Sequence, residues 1–321
     1  MLIRALFVLI LTSGPAIALE LDLPIACTLG EDCFIQQYVD RDPGPGAGDY
    51  ACGAQTYDGH DGIDIRLRTT ADVEKGIAVL AAAPGVVVAL RDGMTDLLVR
   101  TEEDRAAVAN SQCGNGVRID HGEGWHTQYC HMRQGSVIVK KGALVAAGMK
   151  LGAVGYSGDA AFPHVHLKVS KNGMVVDPFL PDPAAPCGTE KQRLWSASAK
   201  AALTYRRGTM LGLGLADHAI TLEELETGAP LGALNRFAPI VAYIWVINLE
   251  KGDVIDIELT TEGKTLVGNS ETLDRNKAQF MLFAGKKAPP GGWPEGTYAA
   301  AVEIRRGGVP VINESKVVKL D

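Results

Sequence analysis

The segment FPHVHLKV, residues 162–169, sets His164 and His166 one residue apart in a run whose alternation and valines predict a β-strand. Side chains alternate faces along a strand, so both imidazoles share one face while Val165 and Leu167 share the other. A second segment, GHDGIDI, spaces His60 and Asp64 four apart around Gly62. If extended, it turns His60, Gly62 and Asp64 to one side, and the missing side chain of Gly62 leaves room for an ion. The same spacing would suit a helix, but Gly59 and Gly62 argue against one. A third segment, TQYCHM, predicts a strand with Tyr129 and His131 on one face and Cys130 on the other.

Each segment alone has a bland explanation. An HxH can be the polar face of a strand, an HxxxD a surface turn, and His131 a buried histidine satisfied by backbone. Together they point to chemistry. His60, Asp64 and His166 supply two imidazoles and one carboxylate, a donor set that suits one zinc ion and leaves a fourth tetrahedral position for water. That is the arrangement of a catalytic metal site. His131 and His164 are then the neighbouring groups that take a proton or hydrogen-bond an oxyanion. His121 and His126 read as turn or surface residues, and His218 stands apart from any cluster.

The order HDGID, GNGVRIDHGEGWHTQYCHM, KKGALVAAGMKLGAVGYSG and HVHLKV resembles the lysostaphin-type, or LytM-like, zinc endopeptidases. The resemblance covers roughly residues 55–180, about one domain. It implies zinc ligation by His60, Asp64 and His166, with His131 and His164 as the catalytic histidines. It also implies peptide crosslinks of bacterial peptidoglycan as substrate. Some relatives have lost zinc ligands and act as non-catalytic activators of cell-wall amidases; here all five positions carry the required residue types. The stretch KKGALVAAGMKLG is also similar to the hybrid β motif of biotinyl and lipoyl carriers, with Lys150 between Met149 and Leu151. A carrier has no use for two histidine motifs, so shared β architecture accounts for that likeness.

The elements that must position these groups are mostly short strands. From the irregular DRDPGPGAGDY loop to about residue 180, β runs alternate with glycine turns: IAVLAA, GVVVALR, LLVRT, GVRIDH, WHTQYCHM, SVIVKKG, HVHLKVS and MVVDP. Asn172-Gly173 predicts a two-residue hairpin turn. One helix is predicted, around Glu102 to Ala109. The fold expected is a LytM-like antiparallel β-sheet peptidase domain with a barrel-like hybrid motif. Three prolines in PDPAAPCG, residues 181–188, mark a linker. Beyond it, LTYRR, IVAYIWVINL, DVIDIELTT, AQFMLFAG, GTYAAAVEIRR and VPVINESKVVKL predict an antiparallel, immunoglobulin-like β-sandwich with no catalytic cluster and a structural or wall-targeting role. The expected division is 1–18 signal peptide, 19–54 disulfide-containing segment, 55–190 zinc endopeptidase domain and 195–321 sandwich.

The 321 residues are 46% hydrophobic, enough for two cores. A formal charge of −7, with no Lys/Arg run, argues against nucleic acid as a partner. The N-terminal sequence has one arginine, an apolar run from Ala5 to Leu11, and Ala16-Ile17-Ala18, which predicts a signal peptide cleaved after Ala18. No stable membrane insertion is expected after cleavage. A lipid-modified Cys27 is disfavoured by Pro24 and the acidic residues before it, and it would leave an odd number of thiols. Six cysteines in an exported chain favour disulfides and a periplasmic location. The expected pairs are Cys27–Cys33, Cys113–Cys130 and Cys52–Cys187, among 15 possible connectivities. An oxidising periplasm favours a D-alanyl to diamino-acid crosslink over a glycyl bridge as the bond cut.

Overall fold

Short valine- and isoleucine-rich runs punctuated by glycine become antiparallel strands in a computed structural model that describes residues 19–189 and 193–320. The predicted signal segment, residues 1–18, lies outside the described residues. The first half contains β1 (Cys33–Gln37), β2 (Ile63–Leu67), β3 (Ala78–Leu80), β4 (Gly85–Arg91), β5 (Asn115–Gly122), β6 (Trp125–Met132), β7 (Leu144–Val145), β8 (Lys150–Ala153), β9 (His164–Lys171) and β10 (Met174–Val175). Eight of these form one sheet in the order β1-β2-β9-β6-β5-β4-β7, with β10 on β9, and β3 pairs with β8. The predicted helix is α1, Glu102–Val108, started by a capping box between Thr101 and Asp104.

The central strands show why one face is a core and the other a site. Ile63, Ile65 and Leu67 of β2, Val165, Leu167 and Val169 of β9, and Tyr129 of β6 are all buried in one apolar cluster. The register sets Asp64 opposite His166, Arg66 opposite His164 and Cys130 opposite His166, so these residues share the other face. Two expected strands, LLVRT and SVIVKKG, form none, whereas KLGA at 150–153 does.

The second half adds α2 (Ala197–Ala202), β11 (Thr209–Ala216), α3 (Leu222–Thr227), β12 (Ile240–Leu249), β13 (Val254–Thr261), β14 (Lys264–Thr272), β15 (Lys277–Lys286), β16 (Gly296–Arg306) and β17 (Val309–Leu320). A three-stranded sheet, β11-β12-β15, faces a four-stranded one, β14-β13-β16-β17, around an apolar core. Thus the β-sandwich expectation holds, although LTYRR is not a strand and β11 and β14 were not expected. The glycines of β11 hide it from sequence reading: a Cβ on Gly214 would sit 2.7 Å from the Tyr243 hydroxyl, so the strand needs a bare backbone there.

IVAYIWVINL departs from the expected alternation, being buried at all ten positions of β12. Ile240, Ala242, Ile244 and Val246 enter the sandwich core, while Tyr243, Trp245 and Ile247 join a second cluster with Phe34 of β1. A continuous apolar run is the mark of a strand covered on both sides. The two halves therefore meet across a packed interface. Trp195, Ala199 and Leu203 still belong to the first core. PDPAAPCG, expected as a linker, is pinned: Arg41 donates to the carbonyls of Leu180, Asp182 and Ala185. The three disulfides are Cys27–Cys33, Cys52–Cys187 and Cys113–Cys130, as expected.

Candidate metal centre

The shared polar face of β2, β9 and β6 opens into a cleft of about 700 Å³ whose lining includes His60, His131, His164 and His166. His60 lies just before β2, Asp64 within it, and His166 opposite on β9. His60 Nε2 stands 3.2 Å from Asp64 Oδ2 and 3.3 Å from His166 Nδ1, and His166 Nδ1 stands 2.9 Å from Asp64 Oδ1. The three donors lie within 4.8 Å of one another. An ion with tetrahedral bonds of about 2.0–2.1 Å spaces its ligands by about 3.3 Å, so these residues fit zinc. Cys27, Asp32 and Cys33 also cluster, but both sulfurs are consumed by their disulfide.

Each ring is held from outside, which fixes what it turns inward. His60 Nδ1 donates to the Tyr38 carbonyl at 2.6 Å, leaving Nε2 as the inward donor atom. His131 Nδ1 donates to Ser157 O and His164 Nδ1 to Phe162 O, both at 2.8 Å. Their rings lie 4.4 Å apart, and His164 Nε2 is 3.5 Å from Asp64 Oδ1. His166 Nε2 contacts Asp61 Oδ1 at 3.1 Å, and Lys168 Nζ holds the other oxygen of Asp61 at 2.5 Å.

Electrostatics follow from burial and from this carboxylate. Burial works to raise the Asp64 carboxyl, but His60, His164 and His166 outweigh it and hold the group well below the usual range. Burial disfavours charge on His166 too, yet Asp61 and Asp64 push it up to about 9; a cation entering the cluster competes with that proton. Burial depresses His131 strongly, with His164 and His166 adding to the effect, and it depresses His164 as well. Both are thus neutral at neutral pH.

All five sequence-predicted residues converge, but two of the reasons given for them need correction. Gly62 does not leave a void for an ion: a Cβ there would sit 2.4 Å from His166 Nε2 and 2.8 Å from the Leu167 carbonyl. The His166 ring itself occupies the space. Gly62→Ala is expected to displace that ring and lower zinc affinity at least about tenfold with the fold retained, measured by competition titration with a chromogenic chelator. An unchanged affinity would show that the ring has room to shift.

The facing of β6 is also opposite to expectation. Tyr129 points into the core, where its hydroxyl accepts from the Ala82 N–H and from Thr127 Oγ1, whereas Cys130 lines the cleft. His131 reaches the cleft only because its φ is +60°, which inverts the alternation at that residue. The hairpin histidines play no part: His121 bonds Pro84 O and Thr127 Oγ1, and His126 faces Gly124 O.

Sequence reasoning missed Asp61, Lys168 and Tyr57. Lys168 was legible, since it continues the i, i+2 face of His164 and His166. Asp61 sits in the turn before β2, where no periodicity applies. Tyr57 stacks at 4.6 Å on His60 and is half exposed at the rim. Ala278 of β15 also lines the cleft, so the second half supplies part of its wall.

Residues 58–178 match the family described as Peptidase family M23. A stretch of 118 residues is 28% identical to the peptidoglycan DD-endopeptidase ShyA of Vibrio cholerae, covering 37% of this chain and 22% of that protein. The chain thus matches about a fifth of the length of that relative. Among solved structures, a mutant catalytic domain of the prophage-encoded M23 protein EnpA from Enterococcus faecalis is 24% identical, with 50% of this chain and 95% of that chain covered at a TM-score of 0.33. The catalytic domain of lysostaphin from Staphylococcus simulans is 24% identical, with 37% and 76% covered at a TM-score of 0.28.

Proposed function

Because residues 58–178 carry a Peptidase family M23 domain, we propose that this chain is an exported zinc metalloendopeptidase that hydrolyses peptide crosslinks of peptidoglycan in the periplasm. The observation that carries the reading is the convergence of His60, Asp64 and His166 at the spacing a zinc ion requires. ShyA, a peptidoglycan DD-endopeptidase, supports the substrate class. We read residues 55–190 as the catalytic domain and 195–321 as the sandwich domain, with Trp195, Ala199 and Leu203 at the start of the latter packed into the core of the former.

Zinc bound at this site would supply Lewis-acid polarisation of the scissile carbonyl and acidification of water. The chain's own residues do the rest. His60 Nε2, His166 Nδ1 and an Asp64 oxygen would hold the ion, and the aspartate would offset part of its charge. Tyr38 O fixes the His60 tautomer, while Asp61, itself held by Lys168, keeps the His166 ring turned inward. His131 and His164 present unprotonated Nε2 atoms to the cleft. They accept the proton released as water attacks, and then hydrogen-bond the developing oxyanion or protonate the leaving amine. Their lowered basicity keeps both ready as acceptors at neutral pH.

The mature protein from Leu19, incubated with purified sacculi, is expected to release muropeptides with new amine and carboxyl termini, and a chelator should abolish the release. No new termini in the zinc-loaded protein would overturn the enzyme reading. Binding to sacculi without cleavage would instead support a wall-binding or amidase-activating protein.

A further inference from the structure

Behind the cleft, Arg66 occupies the site face of β2 directly opposite His164, and it is almost fully buried, at 1% exposure. Its guanidinium lies between two aromatic rings, 4.7 Å from the Phe162 centroid and 5.4 Å from that of Trp245. Nη1 donates to Gln36 Oε1 at 2.8 Å and to Gln279 Oε1 at 3.1 Å, and Nε donates to Leu67 O at 3.1 Å. Among the described residues its hydrogen-bond partners are amide and carbonyl oxygens. Leaving water is costly for such a cation, and the cost is recovered only if its geometry is held closely.

The stack leads from the sandwich to the cleft. Trp245 is on β12 and Gln279 on β15. Gln279 Nε2 is anchored by Glu226 Oε1 at 2.5 Å, and Gln36 Nε2 reaches across to Ala278 O at 2.7 Å. On the far side of the guanidinium, Phe162 meets His164 twice: its ring lies 4.6 Å from the imidazole, and its carbonyl accepts the Nδ1 proton. Whatever holds Phe162 therefore fixes both the tautomer and the plane of His164.

We propose that Arg66 is a positioning residue for His164, acting through Phe162, and that Gln279 and Trp245 make the sandwich a working part of the hydrolytic site. The proposal rests on the hydrolase reading for its kinetic consequence, but its geometric core does not. A lysine at 66 keeps the charge and cannot lie flat between two rings while donating to both Gln36 and Gln279. A displacement of about 1 Å at a reacting group can cost about 10²-fold in rate. Phe162→Leu removes the ring from both His164 and the guanidinium while leaving Trp245, Gln36 and Gln279 in place around Arg66.

The test compares Arg66→Lys, Phe162→Leu and the double variant in the full mature chain. At unchanged zinc content and unchanged KM for a crosslinked muropeptide, each single variant should lower kcat about tenfold or more. The double should fall no further than the worse single, because both act on the same ring. Side-chain ¹H–¹⁵N spectra of labelled histidine provide a readout independent of turnover. His164 should show one Nδ1-protonated form in the native protein and a mixture of tautomers in Arg66→Lys. Independent, multiplying losses in kcat, a loss confined to KM or zinc, or a single His164 tautomer in Arg66→Lys would overturn the proposal. An inactive native protein with the tautomer shift present would overturn the hydrolase reading and uphold the positioning of His164.

Discussion

His166→Ala is expected to lose the metal, whereas His164→Ala should keep it near one per chain and lose hydrolysis. The two rings are one residue apart on the same strand face, yet only His166 puts a nitrogen into the donor cluster, 2.9 Å from Asp64 Oδ1 and 3.3 Å from His60 Nε2. Without it two donors remain, and Asp61 and Asp64 lose their shared partner. His164 Nε2 stands off at 3.5 Å from Asp64 and leaves the spacing of the three donors untouched. Loss of a general base typically costs about 10²–10⁴-fold. Metal content after gel filtration, beside muropeptide release, separates the two roles. Equal metal loss in both variants would show the HxH roles to be wrongly assigned.

Opening the Cys113–Cys130 bridge should cost hydrolysis at least about tenfold while the metal stays bound. The bridge joins cysteines 17 residues apart and ends beside His131, whose N–H donates to the Cys113 carbonyl at 2.8 Å. His131 holds a left-handed backbone that a residue with a side chain adopts at a cost of about 1–3 kcal/mol. A disulfide closing a loop of this size stabilises by about 3 kcal/mol, enough to offset that strain. With Cys113→Ala and Cys130→Ala combined, His131 can relax to an ordinary strand conformation, which turns its ring away from the cleft. The readout is kcat at matched zinc occupancy in the double variant. An undiminished kcat would show that Gly155, which donates to the His131 carbonyl, and Ser157, which accepts from its ring, suffice to hold the residue.

Much of the site was legible because metal ligation has strict residue preferences and strand alternation is a local rule. His164 and His166 share a face for the reason their spacing suggests, and Asp64 meets them because it lies opposite His166 in the register. His131 was legible as a member of the site but not as to how it gets there, since alternation alone sends it into the core with Tyr129. Asp61 escaped notice because a turn has no period to read. In the second half, the unbroken apolar run of β12 could have signalled a strand covered on both faces, and hence an interface between the halves.

The sequence by itself pointed to the donor set, the mostly β fold and three disulfide pairs, because side-chain chemistry and backbone periodicity act within a few residues. Only the tertiary structure decided three things: the inverted backbone at His131, the filling of the Gly62 gap by the His166 ring, and the placement of Arg66 between Phe162 and Trp245. Each depends on groups far apart in the chain competing for the same space or the same hydrogen bond. No local period encodes such a competition; packing settles it.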